Sequence, residues 1–384
     1  MRHLNYKSFI GFFFVQTMSR GILLSVIPLQ ALELMSNAQR VSVLFFAVSL
    51  GGIVAALATP TVIRQVGVYR TFLIATGAMV LSLIALASFD AWLFTSGLFL
   101  HVIAIAAAEV ALSLYVLDRV PRRELLRFEP WRMLFTVLAL TIGPFLGVFL
   151  QNRVGHSVPF IIGGLAVVGT LVHFHVLGLQ HTILKWTATG SNNPLHHIRR
   201  FFRQPRLRLA YGLTLARSCW WAMFVIYVPI YAKQTGLGEL TGAGIVSIGT
   251  AWTLTVPFWG WVGRRFGLRY LVSVGFVATS ALSMLAFALA GTPVLAPGLL
   301  IFGALGASML DGAGNVLFLR AVRTFERSEM AAVFATYRDS GQLATPGLFA
   351  VLLKFFALPV VFASASVWML AAAWFSRHIP KGMR

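Results

Sequence analysis

Cysteine is all but missing from this sequence: Cys219 stands alone, inside an apolar run. A single thiol excludes an internal disulfide and any metal site built from several cysteines. Charge is scarce as well. Asp, Glu, Lys and Arg make up 11% of the 384 residues, where soluble domains carry about 25%. Acids are scarcest, 11 against 31 Lys and Arg. No Gly-rich loop ending in Lys-Ser or Lys-Thr is present to cradle ATP phosphates, and no nucleophile–base constellation points to an enzyme. The expectation is therefore a protein that is not an enzyme, with no cofactor and no metal.

What fills the chain is apolar: 58% of residues are hydrophobic and the mean hydropathy is +0.82. Such a chain cannot cover its surface with polar groups in water, but lipid can cover it. Runs of about 20 apolar residues, the length of a membrane span, fall at 8–32, 41–63, 71–89, 91–117, 133–151 and 156–179. They resume at 208–232, 240–262, 270–291, 297–319, 330–353 and 357–376. The sequence thus predicts an all-α membrane protein of about twelve transmembrane helices. The first run is too long for a cleavable signal peptide and continues as a span.

The net charge of +20 would point to nucleic acid in a soluble protein. Here the basic residues sit in short loops between apolar runs, so lipid, not nucleic acid, is the expected partner. Basic residues concentrate in cytoplasmic loops of membrane proteins. With the N-terminus inside, every alternate loop obeys that rule. Arg64 and Arg70 follow span two, and Arg119, Arg122, Arg123, Arg127 and Arg132 follow span four. Lys185, Arg199, Arg200, Arg203, Arg206 and Arg208 follow span six. Arg264, Arg265 and Arg269, then Arg320, Arg323 and Arg327, and finally Arg377, Lys381 and Arg384 complete the series. The opposite side holds Arg40, Arg153, Lys233 and Lys354. Both termini are expected to be cytoplasmic.

The longest loop divides the chain into residues 1–179, a linker at 180–207, and residues 208–384. In the linker, Pro194 to Arg206 reads as a basic amphipathic segment lying on the anionic inner leaflet. The two flanking parts repeat one another. Pro28-Leu29-Gln30-Ala31 returns 201 residues on as Pro229-Ile230-Tyr231-Ala232, Gly67 returns 200 on as Gly267, and Gly143-Pro144 returns 202 on as Thr345-Pro346. The constant offset predicts two pseudo-symmetric six-helix bundles related by an axis along the membrane normal, a known transporter plan.

Six charges fall inside the spans: Arg20, Glu109, Arg217, Asp311, Arg338 and Asp339. A charge at mid-bilayer costs about 2.5–3.5 kcal/mol or more, so such residues normally face a cavity and have a partner. Arg20 follows Lys7 by 13 residues, about 20 Å along a helix. Glu109 and Asp311 lie 202 apart, matching the repeat. They are candidates for carrying a proton, with Asp339 a third. Arg338, adjacent to Asp339, points about 100° away from it and reads as a cavity or inter-helix charge. Arg20 and Arg217 are candidates for gripping an anionic group in bidentate fashion, and Trp220 and Trp221 for stacking on an organic ring.

Two loop and helix motifs carry a family resemblance. Gly260-Trp261-Val262-Gly263-Arg264-Arg265-Phe266-Gly267-Leu268-Arg269 resembles the signature Gly-x-Leu-Ala-Asp-Arg-x-Gly-Arg-Arg/Lys of the major facilitator superfamily, with Arg264 at the Asp position. The first copy keeps Gly67 but has Pro60 and Arg64 in place of the leading Gly and the Asp. Ala139-x-x-x-Gly143-Pro144-x-x-Gly147 resembles the family's antiporter signature. Physically, its glycines let helix backbones approach and its proline bends the helix. The family's Asp helps latch a cytoplasmic gate. Here pairs between Arg64 or Arg264 and Glu124, Glu129, Glu326 or Glu329 could replace that latch.

The resemblance implies that spans one, four, seven and ten, which carry Arg20, Glu109, Arg217 and Asp311, line a central substrate cavity. It implies a monomeric, multi-pass secondary transporter of alternating access, exporting an organic metabolite or drug-like small molecule against protons. Short loops and compact length place it in a prokaryotic inner membrane. Exchange or uptake of an organic anion held by Arg20 and Arg217 is the alternative within transport. A sensor or scaffold that kept the fold is the alternative outside it.

Overall fold

The computed structural model describes residues 6–119, 122–178, 194–314, 316–323 and 327–379. Among the described residues every regular element is helical. The chain separates into two compact units, Met1–Thr187 and Ala188–Arg384.

The first unit holds α1 (Tyr6–Met35), α2 (Ala38–Val66), α3 (Val68–Leu86), α4 (Ala91–Arg119), α5 (Arg122–Arg153) and α6 (Val158–Val176). Short turns at 36–37, 67 and 87–90 separate the first four helices. Asn37 caps α2, its Oδ1 accepting from the Gln39 N–H at 2.7 Å. Between α3 and α4 a tight turn is held by Asp90, whose Oδ1 accepts from the N–H groups of Trp92 (2.9 Å) and Leu93 (2.8 Å). These are donors that a helix start leaves without partners. Near the start of α1 an aromatic core of Phe12, Phe72, Tyr115 and Phe174 is fully buried. Tyr69 and His175 meet at its edge, hydroxyl to Nε2 at 3.1 Å.

Along α1 and α5 the packing is backbone against backbone. A Cβ added to Gly143 would stand 2.3 Å from the carbonyl carbon of Gly21, and one on Gly147 would stand 1.9 Å from the Ile22 carbonyl oxygen. No side chain larger than hydrogen fits at this crossing. Pro144 lies buried between the two glycines.

The second unit begins with α7 (Pro194–Arg203), which packs on α8 (Pro205–Gln234) and on α14 (Arg327–Ala335). It continues through α9 (Glu239–Ala251), α10 (Val256–Phe266), α11 (Leu268–Ala288), α12 (Leu295–Ala313) and α13 (Val316–Ala321). After α14 come α15 (Tyr337–Phe355) and α16 (Val360–Ser376). A 3-10 turn, Trp252–Thr255, links α9 to α10. Gly314, at φ +47°, ends α12 before α13.

Among the described residues, ten segments are long and apolar enough to cross a membrane. The twelve expected spans all have helical counterparts, but the last two are weaker. The eleventh is divided into α14 and α15, with Arg338 and Asp339 just after the break, and α16 has 17 residues. Charge at a break lowers the apolarity of any window across it. In the first unit, α2, α4 and α5 run unbroken where the repeat-related segments of the second unit are interrupted.

Candidate functional site

In the first unit, α1 supplies Arg20 and α4 supplies Glu109. Arg20 Nη1 is ion-paired with Glu109 Oε1, and the two side chains remain 40% and 50% exposed. Arg20 directly precedes Gly21, so the close α1–α5 crossing fixes the backbone that carries it. On α4, His101 is buried and shares a hydrogen bond with Ser82 Oγ, 2.9 Å from its Nδ1.

The second unit repeats the arrangement with more contacts. Arg217 on α8 reaches Asp311 on α12, Nη1 to Oδ1 at 3.1 Å. The same Nη1 donates to the Leu310 carbonyl at 3.2 Å, and Nη2 donates to the Tyr337 hydroxyl at 3.4 Å. The guanidinium also lies over the Tyr337 ring, 5.7 Å from its centroid. Trp221 Nε1 donates to the other carboxylate oxygen, Oδ2, at 3.1 Å. Asp311 sits in the last turn of α12, where exposed carbonyls make a negative charge unfavourable. Arg217 offsets this by bonding the carboxylate and a last-turn carbonyl together. Only 10% of the Arg217 side chain and 24% of that of Asp311 are exposed.

Two arginine–carboxylate pairs therefore bridge α1 to α4 in the first unit and α8 to α12 in the second. The acids are repeat-equivalent; the arginines are not. Trp221 stands at the repeat position of Arg20, 201 residues on, and Arg217 lies one turn earlier on the same helix. Each unit thus sends an arginine across to its acid, from positions one turn apart.

The remaining candidates divide. Trp221 belongs to the Asp311 cluster. Trp220 turns the other way: it is fully buried, stacked on Phe224 at 5.2 Å, with Nε1 donating to Ser283 Oγ at 3.0 Å. Arg338 and Asp339, at the start of α15, are exposed. Arg338 Nε donates to the Tyr337 hydroxyl at 3.2 Å, so one phenol oxygen joins two guanidinium groups. Tyr337 escaped the sequence reading. Its only signal is its place beside Arg338, and a tyrosine in an apolar segment is commonplace.

Gly67 and Gly267 occupy the same turn in the two units. Their φ values are +88° and +96°, a region L side chains rarely adopt. Each N–H bonds back to the fourth residue before it, Ile63 at 2.9 Å and Gly263 at 3.0 Å. Gly260 lies beside the Gly312 carbonyl, bringing α10 against α12. Arg264 and Arg265 are exposed, and Arg265 lies over the Trp261 ring at 5.4 Å. Neither Arg64 nor Arg264 is ion-paired among the described residues. Of their expected partners, Glu326 lies outside those residues, as do the side chains of Glu124, Glu129 and Glu329.

The structure is similar to several solved membrane transporters over nearly its whole length. The nucleoside transporter NupG matches with a TM-score of 0.73 at 12% identity, covering 97% of this chain and 98% of that one. A peptide transporter of the POT type, solved with sulfate, matches at 0.73 and 14% identity, covering 97% and 94%. A bacterial homologue of the iron transporter ferroportin, in its inward-facing state, matches at 0.71 and 16% identity, covering 97% of each. At such identities the likeness is one of fold. No curated protein sequence matches the chain significantly. The sequence profile of the Major Facilitator Superfamily matches residues 9–346, and the chain belongs to that superfamily of membrane transporters.

Proposed function

We propose that this chain is a secondary active transporter of alternating access that moves a small organic solute against protons, exporting it across a prokaryotic inner membrane. The observation that carries the reading is the repeated arginine–carboxylate pair, Arg20–Glu109 in one unit and Arg217–Asp311 in the other. A proton taken up by the carboxylate cancels the charge that holds the arginine. While ionised, the same carboxylate can instead accept a hydrogen bond or a positive charge from the solute. When a proton arrives on it, the solute loses that acceptor and leaves. Proton and solute compete for one carboxylate, and that competition is a physical basis for exchanging one against the other.

The pairs differ in a way that assigns them different duties. Arg20 and Glu109 are about half exposed, so water, protons and solute reach them. Arg217 is nearly buried and holds a carbonyl, a carboxylate and a phenol at once. The first pair suits exchange and the second suits holding helices together until Asp311 is neutralised. The accessibility of Arg20 also favours a second reading, in which an organic anion displaces Glu109 directly without a proton.

Flux in proteoliposomes with an imposed pH gradient separates these readings, using a panel of organic anions and amphiphilic cations. The proposal expects at least one solute to move against the proton gradient, at a rate that falls to background when the gradient is collapsed. Arg20→Lys keeps the charge and loses the fork. It is expected to abolish transport if the solute is anionic. Anion exchange that ignores the pH gradient would establish the second reading instead.

A further inference from the structure

We infer that α7 is a docking surface for anionic phospholipid headgroups, and that its contact is relayed through Tyr211 to the start of α15. The helix reads Pro-Leu-His-His-Ile-Arg-Arg-Phe-Phe-Arg and contains no acid. Ile198, Phe201 and Phe202 stand at i, i+3 and i+4, one face of a helix. Phe201 is fully buried, which anchors α7 to its unit, while Ile198 and Phe202 stay 43% and 38% exposed. Arg199, Arg200 and Arg203 are exposed around that stripe. Exposed apolar side chains flanked by arginines are the chemistry of a helix lying in the bilayer interface, and anionic headgroups complement its charge.

The surface extends beyond α7. Arg206 and Arg208 at the start of α8 are exposed. A crevice lined by Arg206, Leu209, Leu317, Ala321 and His378 brings the beginning of α8 together with the ends of α13 and α16. The exposed Arg320, Arg323 and Arg377 belong to those same ends. Exposed arginines thus gather at one end of the second unit among the described residues, and α7 is its amphipathic edge.

Contacts lead inward from there. The rings of Phe201 and Phe202 pack edge-on to Tyr211, at 5.9 and 5.3 Å. The Tyr211 hydroxyl bonds Thr336 Oγ1 at 3.1 Å and Ser340 Oγ at 2.9 Å, spanning the break between α14 and α15. The next residue, Tyr337, touches Arg217. A helix break is an element able to take two arrangements, and the aromatic pair of α7 bears on the residue that staples this one. Anionic lipid that holds α7 in place would therefore favour the stapled form and the Arg217–Tyr337 contact. The docking requires no assumption about what the protein transports.

Hydrogen exchange of the full chain in vesicles of phosphatidylcholine, with and without phosphatidylglycerol, tests this. Amides of 198–203 and of 336–340 are both expected to exchange more slowly when phosphatidylglycerol is present. Protection of 198–203 should fall about fivefold per arginine removed, in the series ending at Arg199→Gln, Arg200→Gln, Arg203→Gln. Tyr211→Phe should keep the protection of 198–203 and lose the lipid-dependent part at 336–340. Equal exchange in the two vesicles would overturn the docking. Inorganic phosphate reproducing the effect in phosphatidylcholine alone would overturn lipid as the ligand. Protection at 336–340 that survives Tyr211→Phe would overturn the relay.

Discussion

Arg217→Ala is expected to destabilise the second unit by about 3–5 kcal/mol, the usual cost of stranding one member of a buried ion pair. Asp311 would keep the Trp221 N–H and the more distant charge of Arg338, while the Leu310 carbonyl and the Tyr337 hydroxyl would each lose a donor. Arg20→Ala removes the matching pair in the first unit, yet both of its members are 40% or more exposed. Solvent screening holds that loss to about 1 kcal/mol or less. The sequence supplies its own reporter. Cys219 is the sole cysteine, buried two residues from Arg217, so a thiol-reactive fluorogenic dye labels the chain only as this unit opens. Thermal labelling curves should shift strongly for Arg217→Ala and little for Arg20→Ala. Removing both charges, Arg217→Leu with Asp311→Leu, should recover most of the loss, because replacing a buried pair by apolar side chains is often neutral. Equal shifts for the two arginines would contradict the different duties assigned to them.

Gly147→Ala should damage the first unit out of proportion to the one methyl group it adds. That methyl would stand 1.9 Å from the Ile22 carbonyl oxygen and 2.9 Å from its carbon. The obstacle is backbone, which no rotamer change can move aside. Overpacking costs about 1–3 kcal/mol where side chains can adjust, and the upper end of that range or beyond is expected here. Separating α1 from α5 would also carry Arg20 away from Glu109, so Gly143→Ala, which strikes Gly21, should lower transport as well as stability. Gly77→Ala is the matched control. It lies within α3 with nothing within 4 Å of the added carbon, and alanine there should stabilise by about 0.4–1 kcal/mol. Unfolding followed by circular dichroism in detergent should show opposite signs for Gly147→Ala and Gly77→Ala. The same sign and size for both would mean that α1 and α5 are not held at this distance.

Much of this was legible in the sequence because it depends on spacing alone. Gly67 and Gly267 stand 200 residues apart and adopt one backbone conformation, and the acids of α4 and α12, 202 apart, keep nearly the same offset. The glycines of α5 announced a close crossing, although their partner, Gly21, carried no signal of its own. Pairing was harder to read. Which arginine meets which acid depends on how each helix is turned about its axis, and hydropathy says little about that in uniformly apolar helices. Trp220 shows the cost of passing over rotation. Neighbouring helical residues point about 100° apart, a rule applied to Arg338 and Asp339 but equally binding on Trp220 and Trp221. Only Trp221 reaches Asp311; Trp220 serves the packing against Ser283 and Phe224. The break before Tyr337 was hidden for another reason. No proline or glycine marks Thr336, whereas Gly314 marks its break plainly.

The most direct test of coupling is to follow protons and solute together in one proteoliposome preparation. For the wild-type chain, adding the transported solute to one side should drive proton movement in the opposite direction, detected by a pH dye trapped inside. Glu109→Gln with Asp311→Asn should abolish that proton signal. Solute-for-solute exchange across the same membrane should persist, because no net proton need move. Proton movement in the double variant equal to that of the wild type would contradict the account, since neither carboxylate would then carry the proton.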